Sequence, residues 1–274
     1  MSSHTFQTAV RALLAVISTL AILPSTAQQT REYHVGDVTF AMISVPGGTF
    51  TMGATPEQNT PYHDEFPSHY VSVDDFAIGQ TEVTQALWLA VMGRNPSDHK
   101  GMNLPVERVS WVDCQVFLHR LDSITGLHFR LPTEAEWEFA ARGGNLSRHT
   151  QFSGSDSLAE VAWYYNNSGN EFIRSAWNFQ DQVDHECAPH EVASSQPNEL
   201  GIYDMSGNVW EWCQDWYTTY QPDSLVNPRG PDSGSRRVAR GGSWAHIDRY
   251  CRLSRRTSYN PSINLNVNGF RLAL

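Results

Sequence analysis

Apolar and polar residues alternate along the first third of the chain in the manner of β-strands. Residues 42–53 (MISVPGGTFTMG) form an apolar run, a Pro-Gly-Gly turn and an alternation of Thr with Phe and Met, which predicts a β-hairpin with one apolar face. Residues 70–79 (YVSVDDFAIG) alternate in the same way and predict another strand. Residues 28–41 are expected to form an extended lead-in, and the polar, Pro-rich segment 54–68 is expected to form a loop.

Three segments carry the spacing of apolar residues that is typical of helices. Residues 84–92 and 111–125 place apolar side chains along one face, and each segment is followed by a Gly that stops a helix. A third helix is predicted to begin after Thr133. This residue is a good N-cap, and Glu136 three positions later completes a capping box.

The second half of the chain is less regular. Residues 145–200 have scattered aromatics and little periodicity, which predicts a long surface loop, and loops of this length within a domain are usually functional or disordered. Short strands separated by Pro-Gly turns follow up to the C-terminus. Neither an internal repeat nor a change of composition occurs after residue 40, so a single domain of the α+β class, rich in irregular structure, is expected.

The first 27 residues predict a cleaved signal peptide. Arg11 precedes the apolar stretch Ala12–Leu23, and small residues follow at Ser25 and Ala27, as a signal peptidase requires. The apolar stretch is shorter than the about 20 residues that span a bilayer. We therefore expect an exported protein, periplasmic or secreted, that is not an integral membrane protein after cleavage.

Charge and cysteine content narrow the classes of partner and the redox state. The net charge is −10, and no basic stripe is available to displace counterions from phosphates, so a nucleic-acid partner is excluded. The four cysteines are Cys114, Cys187, Cys213 and Cys251. In an oxidising compartment an even number predicts two disulfides, for which three connectivities exist.

Three blocks near the C-terminus carry a family resemblance. They are GIYDMSGNVWEW (201–212), RVARGGSWAHIDRYCR (237–252) and NGFRLAL (268–274), and in this order they resemble the sulfatase-modifying-factor family, whose founding member is the formylglycine-generating enzyme. The resemblance covers 42–274. It implies a C-type-lectin-like fold of the formylglycine-generating-enzyme type, within the α+β class.

The resemblance also implies a disulfide pairing. The WEWC and GGSW segments lie on neighbouring strands of the family fold, which favours a Cys213–Cys251 bridge and leaves Cys114–Cys187 as the second pair.

The family's oxidase converts a sulfatase cysteine to formylglycine with O2 and copper held by two cysteines. Cys251 matches the second of these cysteines, whereas His246 occupies the position of the first. The candidate catalytic pocket comprises Trp210, Ser243, His246, Cys251 and Arg252. Because Cu(I) prefers thiolates, a single cysteine cannot form the dithiolate site, and we expect no copper.

A calcium site is predicted in the turn YDMSGNVWE. Asp204 and Glu211 offer carboxylates, while Gly207 and Val209 offer backbone carbonyls, and hard oxygens are the ligands that calcium requires. The resemblance assigns the same four positions to a structural calcium ion. The alternative is an acidic turn that binds no ion.

Three functions follow from these observations. The favoured one is a non-catalytic, calcium-stabilised binding or scaffold module that holds a protein or peptide in the cell envelope. The first alternative is a formylglycine-generating oxidase acting on sulfatase cysteines. The third, a lectin-like carbohydrate binder, rests on fold analogy. The chain contains none of the GxSxG, P-loop or HExxH motifs of other enzyme classes.

Overall fold

A computed structural model describes residues 29–274, so the predicted signal peptide lies outside the described residues. Within this range the chain forms short strands and helices joined by long irregular segments. The strands are β1 (Thr30–Val35), β2 (Val38–Val45), β3 (Gly48–Met52), β4 (His69–Val73), β5 (Phe76–Gly79), β6 (Trp210–Trp216), β7 (Leu225–Val226), β8 (Arg237–Arg240), β9 (Arg256–Tyr259) and β10 (Asn268–Gly269). The helices are α1 (Gln85–Met92), α2 (Trp111–Thr125), α3 (Glu134–Ala141), α4 (Leu158–Val161) and α5 (Phe179–Asp184).

The strands are divided among three small sheets. Their orders are β1-β2-β5, β3-β4-β7 and β10-β6-β8-β9. The segment 28–41, predicted as an extended lead-in, contains β1 and the start of β2, which pair antiparallel. The α+β class predicted from the sequence is confirmed by this mixture of sheets, helices and irregular structure.

The hairpin predicted for 42–53 is wrong, although both of its strands exist. β2 pairs with β5, and β3 pairs with β4, so the Pro46–Gly47 step carries the chain from one sheet to another. A Cβ on Gly47 would lie 2.4 Å from the carbonyl oxygen of Val73. The glycine is therefore needed for close passage past β4 and does not form a hairpin turn.

The single strand predicted for 70–79 is split for the same reason. β4 ends at Val73 and β5 begins at Phe76, in different sheets. Between them Asp75 accepts a hydrogen bond from the N–H of Gly47 at 2.7 Å. The segment between β2 and β3 and the segment between β4 and β5 therefore lie side by side and are joined by this hydrogen bond.

The predicted helices are confirmed because their signals are local. Thr84 caps α1, Ser110 caps α2, and Gly126 ends α2 in the left-handed conformation. Thr133 and Glu136 form the predicted capping box of α3. These side chains satisfy N–H groups that have no partner within a helix.

Residues 145–200 are largely irregular, as predicted, but they are not only surface. Tyr165, Ile173 and Cys187 are buried in one apolar cluster with Val209 and Trp244. The segment therefore packs against the C-terminal blocks. Within residues 29–274, no helix has the length and apolar character needed to cross a membrane.

Buried arginines form ion pairs throughout the core. Arg240, Arg252, Arg256 and Arg271 are each at most 1% exposed. Arg252 pairs with Glu65, Arg271 with Glu211 and Arg256 with Glu134, while Arg240 reaches both Glu134 and Glu138. Because a buried charge without a partner is costly, these pairs fix how the C-terminal strands sit against α3 and the loop at residue 65.

Candidate functional site

The cysteines do not form the predicted disulfides. All four are free and buried, and each lies in a different apolar cluster of the core. The neighbouring strands exist, since Glu211 in β6 pairs with Arg240 in β8. Cys251, however, follows β8 by a further turn and packs with the residues around Phe152 and Leu158, away from Cys213. The Cys213–Cys251 and Cys114–Cys187 pairings were wrong for this reason.

Cys251 is placed as a core residue. Its side chain is fully buried, and burial together with the nearby carboxylate of Asp248 raises the pKa of the thiol well above its usual range. A Cβ on Gly242 would lie 2.6 Å from the sulfur of Cys251, so the turn that follows β8 packs directly against this sulfur. Because the thiolate is the form that binds soft metals or attacks a substrate, burial disfavours the reactive form of Cys251.

Trp210, Ser243 and His246 lie close together. The hydroxyl of Ser243 and Nδ1 of His246 are 2.6 Å apart, and the rings of Trp210 and His246 meet edge to face with centroids 5.6 Å apart. Burial, and secondarily the charge of Arg255, lower the pKa of His246 to about 4. His246 is therefore neutral at physiological pH, and among the described residues Nε1 of Trp210 is buried without a hydrogen-bond partner.

Arg252 is not part of this pocket. Its guanidinium donates to both oxygens of Glu65, at 2.7 and 2.6 Å, and also to the hydroxyl of Ser254. Neither Arg252 nor Glu65 is exposed. The arginine that the sequence assigned to the site therefore anchors the loop between β3 and β4, which contains Glu65.

That loop brings a surface of aromatic and arginine side chains to the pocket. Arg249 and Arg255 stack on the ring of Tyr62, with their guanidinium carbons 4.2 and 4.0 Å from its centroid. Tyr250 lies between Tyr62 and His246, with ring centroids 5.9 and 5.2 Å away. We call Tyr62, Arg249, Tyr250 and Arg255 the aromatic–arginine surface.

Sequence reasoning missed this surface because Tyr62 lies in a polar loop far away in the chain. Burial and a hydrogen bond with Tyr250 raise the pKa of Tyr62 to about 12, so its phenol stays neutral. Arg249 is exposed. The surface thus offers flat aromatic faces and positive charge on a molecule whose net charge is −10.

The predicted calcium turn lies beside the pocket and is buried. Asp204 accepts hydrogen bonds from the N–H of Ala193 at 2.8 Å and the hydroxyl of Ser195 at 3.3 Å. Glu211 accepts two N–H groups of Arg271, both at 2.6 Å, and the indole N–H of Trp137 at 2.7 Å. Burial raises the pKa of Asp204 to about 6.

A third carboxylate, which the sequence did not indicate, faces the same turn. Glu82 is 2% exposed and accepts hydrogen bonds from the N–H of Val209 and the amide of Asn208. Burial and the neighbouring carboxylates of Asp204 and Glu211 raise its pKa well above the usual range. Arg271 is the cation that offsets these three groups.

The side chains of this turn carry oxygen atoms, the type of donor that calcium prefers. The carboxylates of Asp204, Glu211 and Glu82 outnumber the guanidinium of Arg271, and Oε1 of Glu211 accepts only one of the N–H groups named above and so keeps a lone pair. Among residues 29–274, no group of three His, Cys, Asp or Glu side chains is arranged to hold a metal. The backbone carbonyls predicted at Gly207 and Val209 would therefore have to complete the oxygen shell.

A family model matches nearly all of the chain. The model of the sulfatase-modifying factor enzyme 1-like domain matches residues 28–274. The chain belongs to this family. The resemblance carried by the three C-terminal blocks is thereby confirmed.

Relatives within the sulfatase-modifying factor family carry different names. The chain is 35% identical over 236 residues to the chaperone protein LppX of Paenibacillus barcinonensis, covering 74% of this chain and 78% of that protein. It is 32% identical over 292 residues to the formylglycine-generating enzyme of Streptomyces coelicolor, covering 86% and 89%. Among solved structures, Treponema denticola variable protein 1 superposes with a TM-score of 0.76 at 33% identity, covering 89% of this chain and 98% of that chain.

These comparisons settle the fold and leave the chemistry to the site. The fold is the C-type-lectin-like fold of the formylglycine-generating-enzyme type, as the sequence predicted. The resemblance assigns His246 and Cys251 to the two positions of the copper pair, and in the structure the thiol of Cys251 is buried.

Proposed function

We propose that this protein is an exported, non-catalytic binding module that holds a protein or peptide partner in the cell envelope. One observation carries the proposal: Cys251, the single thiol left at the copper position, is fully buried and its pKa is raised well above the usual range. A site with neither two thiolates nor one accessible thiolate lacks the ligands that Cu(I) requires. The apolar stretch Ala12–Leu23 with the small residues after it supports export.

The aromatic–arginine surface is the proposed contact with the partner. It combines stacked aromatic rings with arginines, the residue types that dominate binding energy at protein interfaces. Arg249 is exposed and stacks on Tyr62, so an acidic peptide segment is the complementary partner. The relative named a chaperone protein supports a binding role.

A first experiment tests for the alternative, an oxidase. The protein is incubated with a sulfatase-type CxPxR peptide, O2 and Cu(I), and conversion of cysteine to formylglycine is followed by mass spectrometry. The formylglycine-generating enzyme of Streptomyces coelicolor serves as the positive control. We expect no conversion beyond that with copper alone. Conversion by the wild type, abolished in Cys251→Ala, would overturn the proposal.

A second experiment tests the binding surface. The mature protein captures partners from envelope extract, and Arg249→Ala is compared with Arg148→Ala, which removes an exposed arginine paired with Glu199 elsewhere. We expect a specific protein that Arg249→Ala retains about tenfold less well, the effect of losing one interface hot spot. Equal recovery with both variants, or no specific protein, would contradict the assignment.

We also propose that calcium binds at the turn of Asp204, Gly207, Val209 and Glu211 and stabilises the fold. The three buried carboxylates that face one guanidinium support this. Calcium should raise the melting temperature, EGTA should lower it, and the effect should be lost in Asp204→Ala. A melting temperature that is the same in calcium and EGTA would rule the site out while leaving the binding function untouched.

A further inference from the structure

A second cavity lies between the start of α3 and the segment 216–230. Its volume is about 380 Å³, within the size range of small-molecule sites. Much of its lining is apolar: Met52, Ala135, Tyr220, Leu225 and Pro228. It shares no residue with the Trp210–His246 pocket or with the aromatic–arginine surface.

Two of the charged groups in the wall of the cavity cancel each other. Arg256 donates to both oxygens of Glu134, at 2.8 and 2.6 Å, and its third nitrogen donates to the carbonyl of Thr218 at 2.9 Å. Glu134 also accepts the phenol O–H of Tyr220. Neither group is left to bind a charged ligand.

Asp215 is different. It is 5% exposed, and its Oδ2 accepts the N–H of Glu134 at 2.9 Å, at the N-terminus of α3. A Cβ on Gly230, another lining residue, would lie 3.4 Å from Oδ1, which places this oxygen on the cavity side. Within residues 29–274 no donor is bonded to Oδ1. Burial and the charge of Glu134 raise the pKa of Asp215 to about 7, as expected for a carboxylate without a counter-ion.

His69 adds a second buried polar side chain to the wall. It is 5% exposed, and its Nδ1 donates to the carbonyl of Pro67 at 3.1 Å, so this nitrogen is already occupied. Its ring meets that of Tyr220 with centroids 4.8 Å apart. Asp215 is therefore the buried acidic group of the wall that remains for a ligand.

We propose that this cavity binds a small organic amine, with the ammonium group on Asp215 and the apolar body against Met52, Tyr220 and Leu225. A protonated amine supplies only donors, and a charge-assisted hydrogen bond in a desolvated site is strong. A carboxylate ligand of the same size would instead meet the like charge of the buried Asp215, because the remaining cation of the lining, Arg229, is exposed and screened by solvent. This site is independent of the proposed partner contact.

The test compares two ligands of matched shape and opposite charge. Phenethylamine and 3-phenylpropionate are titrated into the mature protein by calorimetry, with saturation-transfer NMR to detect millimolar binding. We expect phenethylamine to bind and 3-phenylpropionate not to bind. Asp215→Asn should weaken the amine about tenfold or more, the cost of a lost charge-assisted contact. Asp223→Asn, which changes an exposed carboxylate at the rim, should alter affinity less than about twofold.

Two features keep the test decisive. Asn at 215 retains an oxygen for the N–H of Glu134, so α3 keeps its cap, and a melting curve verifies folding. Leu225→Trp adds bulk at a lining residue other than Asp215 and should also weaken phenethylamine. Binding of 3-phenylpropionate as tight as that of the amine, no amine binding at millimolar concentration, or unchanged binding in Asp215→Asn would each overturn the proposal.

Discussion

Replacing Arg252 by Met is expected to destabilise the protein severely, although the sequence assigned this residue to a catalytic pocket. The change leaves Glu65 fully buried without its counter-ion. Burial alone raises the pKa of Glu65, but hydrogen bonds from Arg252, Ser254 and the N–H of Tyr62 outweigh it, so the pKa is lowered overall. Arg252 is the only charged donor in that set.

The magnitude follows from these contacts. Breaking a buried pair by removing one partner costs about 3–5 kcal/mol. Because Ser254 and Tyr62 still donate to Glu65 after the change, we expect a loss near the lower end, ~3 kcal/mol. With a urea slope of about 2–3 kcal/mol/M, the midpoint of unfolding should fall by roughly 1 M or more.

The assay is urea unfolding followed by tryptophan fluorescence, with Arg148→Met as the matched control. Arg148 forms a similarly short ion pair with Glu199, at 2.7 Å, but its side chain is 64% exposed, so its loss should lower the midpoint much less than Arg252→Met does. The double variant Glu65→Leu/Arg252→Met should recover much of the stability, because apolar replacement removes the buried charge. If Arg252→Met and Arg148→Met had equal midpoints, the buried pair would not fix the loop.

Three further outcomes are expected. Thiol titration should find no reactive cysteine in the folded protein and all four after unfolding without reductant; fewer than four would reveal a disulfide. The pKa of His246 lies near 4 when folded, because of burial and Arg255, and near 6.5 when unfolded. Its neutral form therefore contributes stability that is present above about pH 6.5 and lost as pH falls toward 4. In urea unfolding at both pH values, the free energy of unfolding should fall less for His246→Gln than for the wild type. Gly242→Ala should lower the free energy of unfolding by ~2 kcal/mol or more, because φ is 81° and the new Cβ would lie 2.6 Å from the sulfur of Cys251. Gly36→Ala, with φ 58° and open space around the new Cβ, should lower it by about 1 kcal/mol. A similar loss for both variants would contradict the packing argument.

The helices could be predicted because their determinants lie within a few residues. Thr84, Thr133 and Gly126 each act on the turn beside them. The sheets could not be predicted, because alternation in 42–53 fixes a strand but not its partner. The partner of β3 is β4, which follows the loop 54–68.

The candidate site divides in the same way. Asp204, Glu211, Ser243 and His246 lie in the C-terminal blocks that carry the family resemblance, so the sequence could propose them as candidates. Tyr62, Glu65 and Glu82 reach the C-terminal blocks from far away in the chain. The burial of Cys251, which raises the pKa of its thiol, depends on packing across the core. Residue type and spacing do not reveal that packing.

The strand pairing at β5 has a consequence for the order of folding. Ala77 exchanges two hydrogen bonds with Leu274, and the N–H of Gly79 donates to the carbonyl of Leu272 at 2.8 Å. Closing a loop of about 200 residues costs roughly 5 kcal/mol in chain entropy before any contact compensates for it. The edge of β5 therefore stays open until residues 270–274 have been synthesised and have reached it. During that interval the nascent chain presents an unpaired strand edge. Such an edge can pair with another chain, so the unfinished protein is prone to aggregation.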